Sequence, residues 1–212
     1  MTTAIEARER PILFSGAMVR AILEGKKTQT RRVVFTEQAR RHDKAHRECW
    51  GADGYDVITA SGEGLCRREW RPDLIKSWVV CPYGQPGDRL WVRETWNYAD
   101  YDGALAPYSG YEYAASVAPG YVPEGGRWRP SIHMPRRASR LLLEVTDVRA
   151  ERVQDISHED ARAEGVQDVD EASYYAIANF RRLWDSINGA RPGGAWADNP
   201  WVWVVEFRRV RP

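Results

Sequence analysis

The sequence is short of cysteine, of long hydrophobic runs and of excess charge of either sign. Its three cysteines are too few for a disulfide framework, which indicates a reducing compartment. No stretch approaches the roughly 20 apolar residues of a membrane-spanning helix, and residues 1–10 lack the apolar segment of a signal peptide. The 31 basic and 30 acidic residues nearly cancel, so overall charge gives no argument for a nucleic-acid partner. We therefore expect a soluble, cytoplasmic protein with no membrane partner.

Motifs of several common enzyme classes are also absent. The sequence contains no G-x-G-x-x-G dinucleotide fingerprint, no phosphate-binding P-loop and no G-x-S-x-G nucleophile turn. We accordingly predict no cofactor. Tryptophan and tyrosine, by contrast, are plentiful, with ten of each against four phenylalanines. Such rings suit half-buried pockets, interfaces and base-stacking surfaces, although they also fill the core of an ordinary β-rich domain.

The pattern of apolar residues predicts one α+β domain. We assign residues 1–10 to a flexible tail and residues 11–212 to a single domain, with insertions at about 36–76 and 97–139. Strands outnumber helices and do not alternate with them, which favours an α+β or barrel fold over a doubly wound sheet. The predicted strands are 11–14, 28–35, 89–96, 140–151 and 201–207, and the predicted helices are 16–24, 157–164 and 171–187.

The corner between the first helix and the second strand carries the most chemically useful side chains. It reads Gly25-Lys-Lys-Thr-Gln-Thr-Arg-Arg32, and Gly25 is expected to end the helix in a left-handed turn. Thr30 can act as a nucleophile only if a base removes its proton, and Lys27 is close enough along the chain to do so. Lys27 must first lose its own proton, which requires burial to bring its pKa down from about 10.4. The alternative is a surface lysine at a helix end beside an ordinary strand threonine.

A second feature is a cluster of arginines with no acidic residue among them. Together with Arg31 and Arg32, such a cluster could form a basic surface for phosphates and stacked bases. The alternative is a set of surface ion pairs, which is the usual fate of scattered charges. The cluster comprises Arg127, Arg129, Arg136, Arg137 and Arg140, with Trp128 and His133 interleaved.

A third feature is a group of potential zinc ligands. His42 and His46 would share a helix face, with Cys49 three residues on and Cys66 and Cys81 downstream. The spacing matches no standard zinc finger, and unrelated polar histidines and buried cysteines explain it equally well. We therefore predict no metal site.

Five segments of the sequence resemble the ASCH domain (activating signal cointegrator homology), a branch of the PUA-like superfamily. The resemblance begins with Pro11-Ile-Leu-Phe14 and the Gly25–Arg32 corner, and continues with Pro86-Gly-Asp-Arg-Leu-Trp-Val-Arg-Glu-Thr-Trp96. Trp128-Arg-Pro-Ser-Ile-His-Met-Pro-Arg136 and Asn199-Pro-Trp-Val-Trp-Val-Val-Glu-Phe207 are similar to phage- and prophage-encoded members in particular. The resemblance implies a small PUA-like β-barrel with flanking helices, a cleft for a nucleotide or modified base, and here long loop insertions.

The resemblance also implies a catalytic set. Small bacterial members of the family hydrolyse N4-acetylcytidine with a lysine and a threonine of a Gly-x-Lys-x-x-Thr motif and a glutamate on a short helix. These positions correspond to Lys27, Thr30 and Glu164 in this sequence. The chain departs from those enzymes in being about twice as long, which leaves open the acyl group and whether the substrate is a nucleoside or a polynucleotide.

The sequence thus predicts an amidohydrolase that removes an acyl group from an N4-acylated cytosine nucleoside. Thr30 would be the nucleophile, Lys27 would handle its proton, and Glu164 would orient them or relay the proton. The alternatives are a binding module for RNA or a modified nucleotide without turnover, and a metal-independent ribonuclease. No obligate protein partner is expected. The predicted substrate-binding residues are Arg31, Arg32, Trp91, Arg93, Glu94, Trp128, His133 and Arg136.

Overall fold

The protein combines α-helices and β-sheets. The computed structural model describes residues 7–34, 55–57, 64–67, 79–101, 108–166 and 175–210. The helices are α1 (Gly16–Leu23), α2 (His158–Ala163) and α3 (Ala176–Asn188). The strands are β1 (Glu9–Leu13), β2 (Gln29–Val33), β3 (Tyr55–Val57), β4 (Gly64–Arg67), β5 (Val79–Val80), β6 (Arg89–Arg93), β7 (Trp96–Tyr101), β8 (Tyr108–Tyr113), β9 (Leu142–Arg152) and β10 (Trp201–Val210).

A five-stranded sheet in the order β1-β6-β9-β10-β2 forms the frame of the domain. The β1–β6 pair is parallel and the other pairs are antiparallel. Strand β10 lies between β9 and β2, and its apolar run is buried on both faces, as the sequence predicted for residues 201–207. A strand covered on both sides has no reason to alternate apolar and polar residues, and this accounts for its composition.

The two faces of this sheet pack against different parts of the chain. One face holds a core cluster that includes Phe14, Val205 and residues of α1. The other face holds a cluster that includes Val204 and residues of α2 and α3. Because Thr30 pairs with Val205 and Arg31 pairs with Val204 across the β2–β10 ladder, successive residues of β2 point towards different clusters.

The residues that the structure describes do not form a closed β-barrel, so the barrel part of the fold prediction is not confirmed. Strands β1 and β2 are the two edges of the main sheet, and no backbone ladder joins them among these residues. A side chain bridges the gap instead, because Arg32 Nη2 donates a hydrogen bond of 2.6 Å to the carbonyl oxygen of Leu13. The mixed α+β class is confirmed, with a five-stranded sheet whose two edge strands are linked by this side-chain hydrogen bond.

The first two helices begin and end close to the predicted positions. Ser15 accepts a hydrogen bond from the Met18 N–H at the start of α1, and Ser157 accepts one from the Asp160 N–H at the start of α2. Gly25 follows α1 with a φ of 74°, which is the left-handed turn expected there. Helix α3 begins at Ala176 in the described part of the chain, and the predicted start at residues 171–174 lies outside it. No described helix is both long and apolar enough to cross a membrane.

The stretch 97–139 is more regular than its Tyr-, Gly- and Pro-rich sequence indicated. Strands β7 and β8 pair in register from Trp96↔Tyr113 to Tyr101↔Tyr108 and form a two-stranded sheet. Short 3₁₀ turns then lead to β9. Residues 36–76 lie mostly outside the described residues, except for β3 and β4, which form a small sheet with β5. The predicted tail is shorter than ten residues, because Glu9 and Arg10 belong to β1.

Candidate active site

A buried ion pair between Lys27 and Glu164 lies at the corner that the sequence singled out. The Lys27 side chain is 0% exposed and that of Glu164 is 5% exposed, and Nζ lies 2.7 Å from Oε2. Nζ also donates to the Glu164 and Gln29 carbonyl oxygens, at 2.8 Å each. The neighbouring Lys26 is 60% exposed and pairs with Glu24. The local sequence therefore places one of two adjacent lysines in solvent and the other in a fully desolvated site.

Backbone contacts between two distant turns hold this pair in place. Lys27 forms an isolated antiparallel bridge with Glu164, and the Thr28 N–H donates to the Ala163 carbonyl oxygen at 2.8 Å. Gly165, at φ 80°, follows the end of α2 directly against Lys27. A Cβ at Gly165 would lie 2.9 Å from the Lys27 Cβ and 2.9 Å from the Ala21 Cβ. Glycine is required here both for its backbone conformation and for the close approach of the two turns.

The environment of Lys27 exerts opposing effects on its protonation. Burial lowers the pKa of Lys27 below its ordinary value, the charge of Glu164 opposes that shift, and Arg32 and Arg31 add to it. Three oxygen acceptors surround Nζ, which matches the three N–H groups of an ammonium. The resting pair is therefore an ammonium and a carboxylate. Desolvation nevertheless reduces the cost of moving a proton from Nζ to Oε2.

Arg31 is surrounded by carboxylates. Its Nε and Nη2 lie 2.8 and 2.5 Å from Oε1 of Glu151, and Nη2 lies 3.0 Å from Oδ2 of Asp160. Its Nη1 lies 3.3 Å from Oε1 of Glu164, so the Glu164 carboxylate is shared between Arg31 and Lys27. The Arg31 side chain is 0% exposed. Arg31 was predicted to bind substrate, but the structure uses all three of its nitrogens within the protein.

Thr30 and Arg32 occupy the opposite face of β2 from Arg31. Thr30 is buried, and among the described residues no hydrogen bond to its hydroxyl is formed. The Phe14 ring lies beneath two cations, with Lys27 Nζ 5.6 Å and Arg32 Cζ 5.2 Å from its centroid. Thr30 therefore shares its side of the strand with a cationic pair that converges on one aromatic ring.

Of the other six predicted substrate-binding residues, Trp91 and Arg93 lie on β6, and the remaining four lie between β6 and β9 along the chain. Glu94 is 1% exposed and forms a two-point ion pair with Arg140, at 2.9 and 3.0 Å. Arg136 pairs with Glu9, and Arg93 Nε donates to the Met134 carbonyl oxygen. No hydrogen bond or ion pair in the described part of the chain connects Lys27, Thr30 or Glu164 to any of the six: Trp91, Arg93, Glu94, Trp128, His133 and Arg136.

The potential zinc ligands fall mainly outside the residues that the structure describes. His42, His46 and Cys49 lie there, as does the side chain of Cys66. Cys81 is buried and free, and burial raises the pKa of its thiol to about 11. Within the described ranges no group of three or more His, Cys, Asp or Glu side chains is arranged to hold a metal ion.

Sequence reasoning missed the carboxylates and rings that complete the site. Glu151 and Asp160 lie 120 and 129 residues from Arg31 along the chain, so no local spacing connects them. Arg149 lies on the same side and forms ion pairs with Asp160, Glu151 and Glu206. The available signal was weak: an Arg-Arg pair entering a buried strand requires at least one buried guanidinium, which in turn requires acidic partners.

Comparisons with known proteins give little support for a function. Neither a scan against protein-family models nor a search of curated proteins finds a match. The chain is similar to the crystal structure of an ASCH domain from Lactobacillus crispatus JV V101, with a TM-score of 0.40 and 11% sequence identity over 97% of this chain and 81% of that chain. A similarity this distant carries no argument about activity, and the functional proposal rests on the geometry of the site.

Proposed function

We propose that the protein is an ASCH-type amidohydrolase that removes the acyl group from N4-acylated cytosine nucleosides. The observation that carries this proposal is the fully buried Lys27–Glu164 pair, with 2.7 Å between Nζ and Oε2, together with the buried Thr30, which follows Lys27 closely along the chain. A desolvated lysine that can pass a proton to a carboxylate supplies the base that a threonine nucleophile needs. The resemblance of the Gly25–Arg32 corner to that of N4-acetylcytidine hydrolases names the substrate.

The proposed reaction has two halves. Lys27 passes a proton to Glu164 and, as a neutral amine, accepts the proton of Thr30 while Oγ1 bonds to the acyl carbon. The C–N bond to the cytosine amino group then breaks, and that nitrogen takes the proton from Lys27 and leaves as cytidine. In the second half the oxygen of water bonds to the acyl carbon and the ester bond to Thr30 breaks; one water proton restores the Thr30 hydroxyl and the other is released with acetate. Glu164 returns its proton to Lys27, so N4-acetylcytidine and water give cytidine, acetate and a proton.

The direct test is to incubate the purified protein with N4-acetylcytidine and to measure cytidine by chromatography. We expect turnover by the wild-type protein and by Lys26→Ala, because Lys26 is exposed and outside the pair. Lys27→Ala should lose turnover by about 10³-fold or more, since the nucleophile would have no base. An absence of cytidine with the wild-type protein would reject the activity, and equal rates for the two alanine variants would reject the site.

A second candidate function, RNA binding without turnover, is favoured by one observation. Of the five clustered arginines, Arg136 and Arg140 are paired with glutamates, whereas the other three are exposed and have no acidic partner among the described residues. Aromatic rings lie in the same part of the chain. Arg129 Cζ is 5.1 Å from the Trp96 ring centroid, and the ring centroids of Tyr121 and Trp128 are 6.2 Å apart. The three unpaired residues are Arg127, Arg129 and Arg137.

Binding of labelled single-stranded RNA over a range of salt concentrations tests this second function. Removing the three unpaired arginines should weaken binding. It should also reduce the slope of log K against log salt concentration by about 0.7 for each lost phosphate contact. A control with the same loss of charge replaces Arg181, Arg182 and Arg208, which are exposed elsewhere. Equal losses in the two triple variants would show that overall charge alone is responsible. Cleavage of the RNA in the presence of chelator would instead indicate a metal-independent ribonuclease.

A further inference from the structure

Arg32 is half-buried and has fewer hydrogen-bond partners among the described residues than Lys27 or Arg31. Its Nη2 donates to the Leu13 carbonyl oxygen, but its Nε is buried with no hydrogen-bond partner. Nη1 has no hydrogen-bond partner among the described residues either, but this atom is not buried and remains open to solvent. Buried guanidinium groups are normally paired with carboxylates, and Arg31 shows that this protein can supply them. The uncompensated charge of Arg32 therefore calls for an explanation.

A purely structural role accounts for only part of the contacts of Arg32. One hydrogen bond to a backbone carbonyl bridges the gap between β1 and β2, and the Phe14 and Tyr83 rings, at 5.2 and 6.0 Å from Cζ, flank the group. A neutral amide donor could make the same bridge without the cost of burying a charge. Burial lowers the pKa of Arg32 below its ordinary value, Tyr83 and Glu164 oppose this shift, and Arg191 adds to it.

We propose that Arg32 binds a phosphate group of the ligand, so that the site prefers a phosphorylated cytidine, free or within RNA, over the bare nucleoside. The identity of the base rests on the proposed function, whereas the phosphate contact does not. A permanent anion fits better than the oxyanion of the reaction, because an oxyanion exists only transiently and would leave Arg32 uncompensated before the reaction. Guanidinium groups bind phosphate through charge-assisted hydrogen bonds.

The position of Arg32 suits this role. It lies two residues from Thr30 on the same face of β2, a separation of about 6.6 Å along the strand. A ligand whose base or acyl group reaches Thr30 would thus present a phosphate one sugar away, near the gap that Arg32 bridges. Arg31 lies on the other face, where its carboxylate partners would repel a phosphate.

Isothermal titration calorimetry on the whole chain tests the proposal without requiring turnover. The probes are cytidine, cytidine 5′-monophosphate and inorganic phosphate. We expect the monophosphate to bind about tenfold or more tightly than cytidine, and Arg32→Gln to remove that preference while leaving cytidine affinity unchanged. Inorganic phosphate should compete with the monophosphate but not with cytidine. Equal affinities for the two cytidine compounds in the wild-type protein, or no binding of either, would overturn the proposal.

A second variant guards against a loss of folding in Arg32→Gln. Arg32→Lys keeps the positive charge and should retain part of the preference for the monophosphate, with an unfolding temperature close to that of the wild-type protein. An identical preference in the wild-type, Gln and Lys forms would overturn the assignment to Arg32. These binding results are independent of cytidine release, so failure of the amidohydrolase proposal and failure of the phosphate contact remain distinguishable.

Discussion

Two neighbouring arginines of β2 have opposite surroundings on the two faces of the strand. On one face Arg31 contacts the carboxylates of Glu151, Asp160 and Glu164, and on the other Arg32 has a single backbone acceptor and no carboxylate among the described residues. The same residue type, one position apart, is a fixed part of the structure on one side and an incompletely paired cation on the other. The difference separates a closed face, where carboxylates surround Arg31 and Glu164 is held in place, from an open face, which carries Thr30 and Arg32 and where we propose that a ligand binds.

The largest expected effect comes from removing the nucleophile on the open face. Thr30→Ala should lower the rate of cytidine release by about 10³-fold or more, because no acyl intermediate can form. Thr28→Ala is the matched control, since Thr28 is exposed and should be dispensable. Similar rates for the two variants, measured under the same conditions, would mean that the open face does no chemistry.

The next effect concerns stability and separates the two arginines. Arg31→Met should reduce the free energy of unfolding by about 3–5 kcal/mol, because it removes the buried cation that three carboxylates share and leaves them only Lys27 and Arg149 as partners. Arg32→Met removes only one hydrogen bond to the backbone and should cost about 1 kcal/mol. Urea unfolding of both variants makes the comparison. If Arg32→Met proved the more damaging, the distinction between the faces would be wrong.

A smaller effect is expected where the two turns meet. Gly165→Ala places a Cβ 2.9 Å from the Lys27 Cβ at a φ of 80°, and should cost about 1–3 kcal/mol and lower turnover by displacing Lys27. Gly25→Ala is a matched control, because its φ is 74° but nothing lies within 4 Å of the added Cβ. Turnover should be lowered only at Gly165. Equal changes at both positions would show that backbone strain alone accounts for them.

The smallest effect is a pH dependence of stability that arises from Lys27. Burial lowers the pKa of Lys27 in the folded protein below the ordinary 10.5 that we take for the unfolded chain. Between the folded and the unfolded pKa, the unfolded chain therefore binds more protons than the folded protein. The contribution of Lys27 to the free energy of unfolding therefore rises with pH between these two pKa values, by at most about 1.4 kcal/mol per pH unit. Lys27→Met should abolish this rise in urea-unfolding titrations. A rise that persists unchanged in the variant would assign it to another group.

Sequence reasoning predicted local features of the fold better than distant ones. The first two helices, the strand at 201–207 and the left-handed turn at Gly25 follow from short patterns, and the structure confirms them. The sharing of Glu164 between Lys27 and Arg31 could not be predicted locally, since the partners lie more than 130 residues apart. The open gap between β1 and β2 also escaped prediction, because an arginine bridge replaces a backbone ladder.

Trapping the acyl group on the protein tests the central claim most directly. The wild-type protein is mixed with N4-acetylcytidine, quenched with acid during turnover and digested, and the peptides are analysed by mass spectrometry. We expect an acetyl group on Thr30 of the Gly25–Arg32 corner. The corresponding peptide of Thr30→Ala, treated in the same way, should carry no acetyl group. Acetylation at another residue during cytidine release would contradict this claim. A rate of cytidine release that is unchanged in Thr30→Ala would contradict it as well.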